Sequence, residues 1–281
     1  MQGKASSLLR IAAPFALAFA LVLAFVPSAF AATRNARQSA GLVGPKANYL
    51  ILGDSLAYGY QPDLDWGHGY AHYFYQDLQT HGTTHIYDAS CPGETTVTMV
   101  KGGCPYWYLV RNPYYKPQIA GAVDYLHKHA GQVSPVTLDI GANDLLKDIN
   151  SASCTVSANW ASDLATMDAN LTGVILPQLV DALTINGQRT GDLLMMNYYD
   201  PYQNLCPNSV PYVQQINTHL AADAAQFNAT LVDVFSAFGG ASTPNPNLCS
   251  YVWICSSFKD IHAQRLGYRV IASAFEQTAG Y

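Results

Sequence analysis

The sequence predicts an α/β fold with a parallel sheet of five strands covered by helices. Three observations support this. Strand-like and helix-like apolar patterns alternate along the chain, as a parallel sheet with helical crossovers requires. The apolar run Tyr49-Leu50-Ile51-Leu52 stops abruptly at Gly53-Asp54-Ser55, as a strand does when it delivers side chains to the edge of a sheet. Behind the N-terminal segment about 250 residues remain, enough for one domain with a large core.

In chain order, Lys4 and Arg10 flank and precede an apolar run over residues 11–26, and Ala29-Phe30-Ala31 sets small residues around a cleavage point. The run is shorter than the ~20 residues of a membrane span and ends at Pro27. We therefore expect residues 1–31 to be a cleaved secretory signal, with a mature start near Ala32 and no stable membrane anchor. Residues 32–46 read as a loose extension and 47–281 as the single domain. Strands are expected at 48–52, 84–88, 136–140, 192–197 and 231–234. Between the third and fourth, Trp160, Leu164, Met167, Leu171, Val174, Ile175 and Leu179 fall on one face of a long covering helix. After the fifth, Leu266, Val270, Ile271, Ala274 and Phe275 form a stripe that packs a terminal helix onto the sheet. Residues 102–117 (Tyr, Trp, Pro, Gly) and 238–257 (Asn, Pro, Ser, Cys) break this rhythm. Segments so long within a compact domain are functional or disordered, and the cysteines favour ordered loops near a site.

Only 12% of residues are charged and the net charge is −5. No basic stripe exists to neutralise a row of phosphates, which excludes nucleic acid as a partner. The six cysteines, Cys91, Cys104, Cys154, Cys206, Cys249 and Cys255, all lie beyond the expected cleavage point, and an even number in an exported chain indicates disulfides. Close spacing favours Cys91 with Cys104 and Cys249 with Cys255, leaving Cys154 with Cys206, though other pairings stay open. No Cys-x-x-Cys occurs, and His68 and His72, four apart, have no third partner at metal-ligand spacing, so we expect neither metal nor cofactor. A monomer is the expected state.

Four features carry possible chemistry. Gly53-Asp54-Ser55 presents a hydroxyl. Residues 89–95 (Ala-Ser-Cys-Pro-Gly-Glu-Thr) make a turn in which Gly93 can bring a backbone N–H close to a ligand. Asn143 follows the third strand and offers an amide. Asp260-Ile261-His262 sets an imidazole beside a carboxylate before the last helix. Each has a plain structural reading: Ser55, Asn143 or Asp144 as helix caps, Gly93 as a turn glycine, Asp260 as a surface acid. Together they are the parts acyl transfer needs. A serine needs a base to take its proton, histidine can take and return it, a carboxylate fixes the ring, and fixed donors meet the oxyanion. The aromatic run Tyr106-Trp107-Tyr108, with Tyr114 and Tyr115, either lines an acyl or sugar pocket or covers the sheet edge.

This ordered set resembles the GDSL or SGNH hydrolases, over nearly the whole chain beyond the signal. The resemblance implies a three-layer α/β/α sandwich of flavodoxin-like order and hydrolysis of lipid, short acyl or sugar esters. It makes Ser55 the nucleophile, His262 the base, Asp260 its orienting acid, and Ser55, Gly93 and Asn143 the oxyanion hole. Asp54 then braces the nucleophile turn. Two departures stand out. The family spaces its acid and base as Asp-x-x-His before a proline, whereas here Asp260 is two residues before His262 and Ala263 follows. That spacing leaves a Ser-His dyad open. A cysteine at position 91 also sits just before the oxyanion glycine, where a disulfide would stiffen the loop. The leading expectation is a secreted serine esterase or lipase; an acyltransferase with the same triad and a non-catalytic carbohydrate- or lipid-binding protein are the alternatives.

Overall fold

The computed structural model describes residues 41–281, so the expected signal segment and residues 32–40 lie outside the described residues. Five strands form one sheet: β1 (Asn48–Gly53), β2 (His85–Asp88), β3 (Val133–Asp139), β4 (Leu193–Met196) and β5 (Thr230–Val232). Their order is β2-β1-β3-β4-β5 and all pairings are parallel. Chain order reverses between β1 and β3, and in such sheets the ligand crevice opens at that point beyond the strands' carboxyl ends. Every residue of β1, β3 and β4 is buried, whereas the edge strands β2 and β5 are partly open. Burial on both faces explains why the central strands read as continuous apolar runs.

The third strand begins three residues earlier than its apolar run suggested. Pro135 has no N–H to give a ladder, and it sits where the β1–β3 register shifts between Asn48/Val133 and Leu50/Val136. A bulge tolerates a proline that a regular ladder excludes. The fifth strand stops earlier than expected, because Asp233 accepts from Ser236 N and caps a short helix at Val234.

The helices are α1 (Ser55–Tyr58), α2 (Tyr70–Thr80), α3 (Thr96–Lys101), α4 (Gln118–Lys128), α5 (Ala142–Leu145), α6 (Trp160–Asn170), α7 (Leu176–Ala182), α8 (Val210–Gln226), α9 (Val234–Ala237), α10 (Leu248–Tyr251) and α11 (Arg265–Ala279). One layer packs α2 against α11, and the other gathers α3, α4, α6, α7 and α8. Phe275 joins α11 to α2 by stacking on Tyr70 at 4.9 Å and meeting Phe74 at 5.6 Å, and Phe74 meets Tyr49 of β1 edge-on at 5.7 Å. Each such ring contributes roughly 1.5–3 kcal/mol by leaving water. The long covering helix is α6 and α7 joined through a π-helical turn, Leu171–Ile175, which keeps Leu171, Ile175 and Leu179 fully buried. The terminal stripe is shifted from the expected one. Leu266 is exposed, and the buried face runs Tyr268, Ile271, Ala272, Phe275, Ala279. Tyr268 can take this inward place because its hydroxyl donates to Tyr60 O at 2.7 Å.

Part of the segment read as a loose extension is tied down. Val43 N and Gly44 N donate to the Asp192 carboxylate at 2.7 and 2.9 Å, and Lys46 Nζ reaches Gly131 O and Thr190 O. Disulfides join Cys91 to Cys104, Cys154 to Cys206 and Cys249 to Cys255, the pairing that spacing favoured. Residues 102–117 and 238–257 are ordered loops held by the first and third of these bridges.

Candidate active site

The turn after β1 is built around Gly53. Its φ is +134°, and a Cβ there would collide with the Asp139 carboxylate and backbone, so no other residue fits. Gly53→Ala should destabilise the fold by roughly 3 kcal/mol or more; urea denaturation showing under ~1 kcal/mol would contradict this geometry. Gln118 at the start of α4 grips the same peptide from outside: its Oε1 accepts from Gly53 N at 2.8 Å, and its Nε2 donates to Gly53 O at 3.0 Å. Asp54 then caps α1 by accepting from Leu56 N at 2.9 Å, which leaves Ser55 as the first helical residue with its hydroxyl at the crevice.

The Ser55 Oγ lies 2.7 Å from His262 Nε2, and His262 Nδ1 lies 2.6 Å from Asp260 Oδ1. The same Asp260 oxygen accepts from the His262 backbone N at 2.8 Å. This Asx-type turn makes the two-residue spacing workable, because one carboxylate oxygen serves the amide and the ring together. With Nδ1–H given to the carboxylate, Nε2 is left to accept from Ser55. The segment is braced on several sides. Trp253 N donates to His262 O at 3.0 Å, Tyr199 Oη donates to Ile261 O at 2.9 Å, and the Tyr60 ring lies 4.6 Å from the imidazole. Burial opposes ionisation of Asp260, but the hydrogen bonds and charge of His262 hold its carboxyl below the usual carboxylate range.

Asn143 is inside α5, whose N-cap is Gly141 at φ +117°, so neither Asn143 nor Asp144 serves as the cap. Asp144 instead accepts from Thr96 N and Oγ1 at 2.9 and 2.6 Å, docking α3 onto the site. The Asn143 Nδ2 donates to Glu94 O at 2.9 Å and, over a longer 3.3 Å, to Asp54 Oδ2. Gly93 is in the left-handed region at φ +78°, with Tyr106 and Pro105 close above it and Cys91–Cys104 bracing the turn. Among the described residues neither the Ser55 nor the Gly93 amide donates to a protein acceptor.

Ser55, Asn143 and His262 line one small pocket of about 40 Å³; Gly93 is not part of its lining, and the link to its turn is the Glu94 carbonyl that accepts from Asn143. The remaining wall is largely apolar, with Leu146, Tyr198, Tyr199, Val213, Ile216 and Ile261. Sequence reasoning missed these residues, although Tyr198 and Tyr199 follow β4 directly and the carboxyl end of a strand was the place to look. His68 and His72 make no metal centre: His68 Nδ1 pairs with Asp65, and Arg265 approaches the same nitrogen at 3.5 Å. The described residues hold one cluster with metal-like spacing, Cys91, Glu94 and Cys104, and its two sulfurs are bonded to each other.

Burial raises the carboxyl pKa of four acids around the pocket, Asp54, Glu94, Asp139 and Asp144. Burial pushes the carboxyls of Asp54 and Glu94 up to about 7. In the unfolded chain both titrate near ~4, so between these values the folded protein binds more protons than the unfolded one. Their contribution to stability is therefore full at acid pH and is lost as pH rises through about 7. His72, held low chiefly by burial, acts in the opposite sense just below its unfolded value of ~6.5. Asp54→Asn should thus flatten the decline in melting temperature from pH 5 to 8 relative to the parent, as scanning calorimetry would show. A steeper decline in the variant would contradict it.

In this parallel sheet a serine, an amide and a histidine–carboxylate pair meet at the switch point of an α/β/α sandwich. The family model for the GDSL-like Lipase/Acylhydrolase family matches residues 51–270, and the chain belongs to that family. The fold is similar to that of Axe2, an acetylxylan esterase from Geobacillus stearothermophilus, with 16% identity and a TM-score of 0.55 over 85% of this chain and 97% of that one. TesA is similar at 18% identity and a TM-score of 0.52, over 82% and 97%. No curated protein matches the sequence.

Proposed function

We propose that the protein is an exported serine ester hydrolase that works through an acyl-enzyme on Ser55. The observation that carries this reading is the continuous chain Asp260–His262–Ser55, with contacts of 2.6 and 2.7 Å. In this mechanism Ser55 Oγ attacks the ester carbonyl carbon while its proton passes to His262 Nε2, and Asp260 stabilises the resulting imidazolium. The oxyanion is met by the Ser55 and Gly93 amides and by Asn143 Nδ2, which exchanges its long contact with Asp54 for the substrate oxygen. Collapse expels the alcohol, protonated by His262. Water then attacks the acyl-enzyme by the same route in reverse and releases the acid.

The pocket beside Ser55 favours a short acyl group. A single water needs ~10–15 Å³ of such space, and about 40 Å³ accommodates an acetyl or slightly larger group. Across a p-nitrophenyl series from acetyl to palmitoyl, turnover by the purified protein should peak at the short end and fall at least ~10-fold by palmitoyl. A palmitoyl optimum would contradict the short-acyl reading, and no turnover at any length would contradict the esterase itself. Export is supported by the three disulfides and by the N-terminal sequence pattern. Among the described residues no helix is long and apolar enough to cross a membrane.

A further inference from the structure

Between residues 106 and 115 four aromatic side chains face solvent: Tyr106 at 46% exposure, Trp107 at 71%, Tyr108 at 64% and Tyr115 at 97%. So much exposed ring surface on one loop marks a contact site. Trp107, Tyr108 and Tyr115 line a cavity of about 540 Å³, within the ~300–1,000 Å³ of small-molecule sites. This cavity shares no lining residue with the Ser55 pocket.

Its deeper lining is polar. Glu94, Gln118 and Tyr114 lie there, and Gln118 Nε2 donates to Glu94 Oε2 at 3.1 Å and to the Tyr114 hydroxyl at 3.2 Å. Glu94 is 1% exposed, and its Oε1 has no hydrogen-bond partner among the described residues. The loop is preformed. Arg111 donates to Tyr58 O and Trp66 O at 2.8 and 2.7 Å, and Asn112 exchanges hydrogen bonds with the Asp88 backbone at 3.1 and 2.7 Å. The Cys91–Cys104 bridge closes its other side. A platform already held in place spends little ordering entropy on a ligand.

We propose that this cavity is a carbohydrate subsite, holding a pyranose unit of the alcohol portion of the ester on Trp107 and Tyr115. A pyranose has an apolar C–H face that stacks on exposed rings and hydroxyls that satisfy buried acceptors, and this lining supplies both. An acyl chain would set hydrocarbon against a carboxyl oxygen that lacks a partner, which is costly. The subsite abuts the reaction centre: Glu94 O accepts from Asn143, and Gln118 holds both ends of the Gly53 peptide. The assignment of the ligand as substrate rests on the esterase reading; the binding site itself does not.

Isothermal titration of the purified protein with unacetylated xylohexaose, cellohexaose and mannohexaose tests the proposal, since none of these contains an ester. Saturable binding of at least one, with a Kd of ~1 mM or tighter, is expected. Trp107→Ala and Tyr115→Ala, at exposed positions where folding is easily checked by thermal melting, should each weaken it ~10-fold, while Trp107→Phe retains much of it. Absence of binding by all three sugars, binding indifferent to both alanine variants, or saturable binding of octanoate in their place overturns the subsite. Turnover of p-nitrophenyl acetate by the same preparation is read separately. Turnover without sugar binding removes the subsite and keeps the esterase, whereas sugar binding without turnover does the reverse.

Discussion

Ser55→Ala lowers kcat/KM for p-nitrophenyl acetate by ~10³-fold or more. The side chain is 9% exposed and opens α1, where alanine is a good helix former, so the variant keeps its fold and its melting temperature. What it loses is the only hydroxyl among the described residues that hydrogen-bonds to His262 Nε2. His262→Ala costs a similar factor, and the double variant is no worse than the poorer single one, because the two groups act as a unit. Steady-state rates for the three variants, with melting curves alongside, measure this. A Ser55→Ala enzyme that retains more than about a tenth of its activity would show that another group delivers the nucleophile.

Asp260→Asn lowers kcat by up to ~10⁴-fold while leaving the fold intact. One Asp260 oxygen serves both the His262 backbone N and Nδ1, so asparagine either sets its oxygen there and loses the negative charge that stabilises the imidazolium, or sets its NH₂ there, breaking the turn contact and favouring the wrong tautomer of the ring. Asp260→Ala removes both contacts at once, so its loss equals or exceeds that of Asp260→Asn. Because the Asp260 carboxyl is held below the usual range, it stays ionised throughout the neutral region, and any rate change near neutrality belongs to other groups. A loss of less than ~10-fold in Asp260→Asn would mean that His262 works without its carboxylate, as a dyad.

The parts of the site that sequence exposed are those at the ends of elements. Ser55 and Asn143 follow the two strands that border the switch point, and Asp260 and His262 precede the last helix, so a one-dimensional pattern placed them. Spacing favoured the disulfide pairing that the structure has without deciding it. Gln118 carried no such signal, because it grips Gly53 from 65 positions away and its identity matters only once α4 packs across β1. Pro135 hid the start of β3, since a proline reads as a strand breaker until the bulge in which it sits is seen. The inward face of α11 was misplaced because a stripe drawn through aliphatic positions passes over Tyr268, whose hydroxyl finds a buried acceptor only in the folded chain. The aromatic loop stayed ambiguous for a related reason: whether exposed rings cover a sheet edge or flank a cavity depends on the backbone between Gly102 and Gln118.

The central claim is that ester hydrolysis passes through a covalent bond to Ser55. Incubating the protein with diethyl p-nitrophenyl phosphate, then locating the adduct by peptide mass mapping, tests it most directly. One equivalent of phosphoryl group on Ser55, formed in step with loss of activity and absent from His262→Ala, is the predicted result. Continued hydrolysis with Ser55 unmodified, or an adduct elsewhere that abolishes activity, would contradict the account.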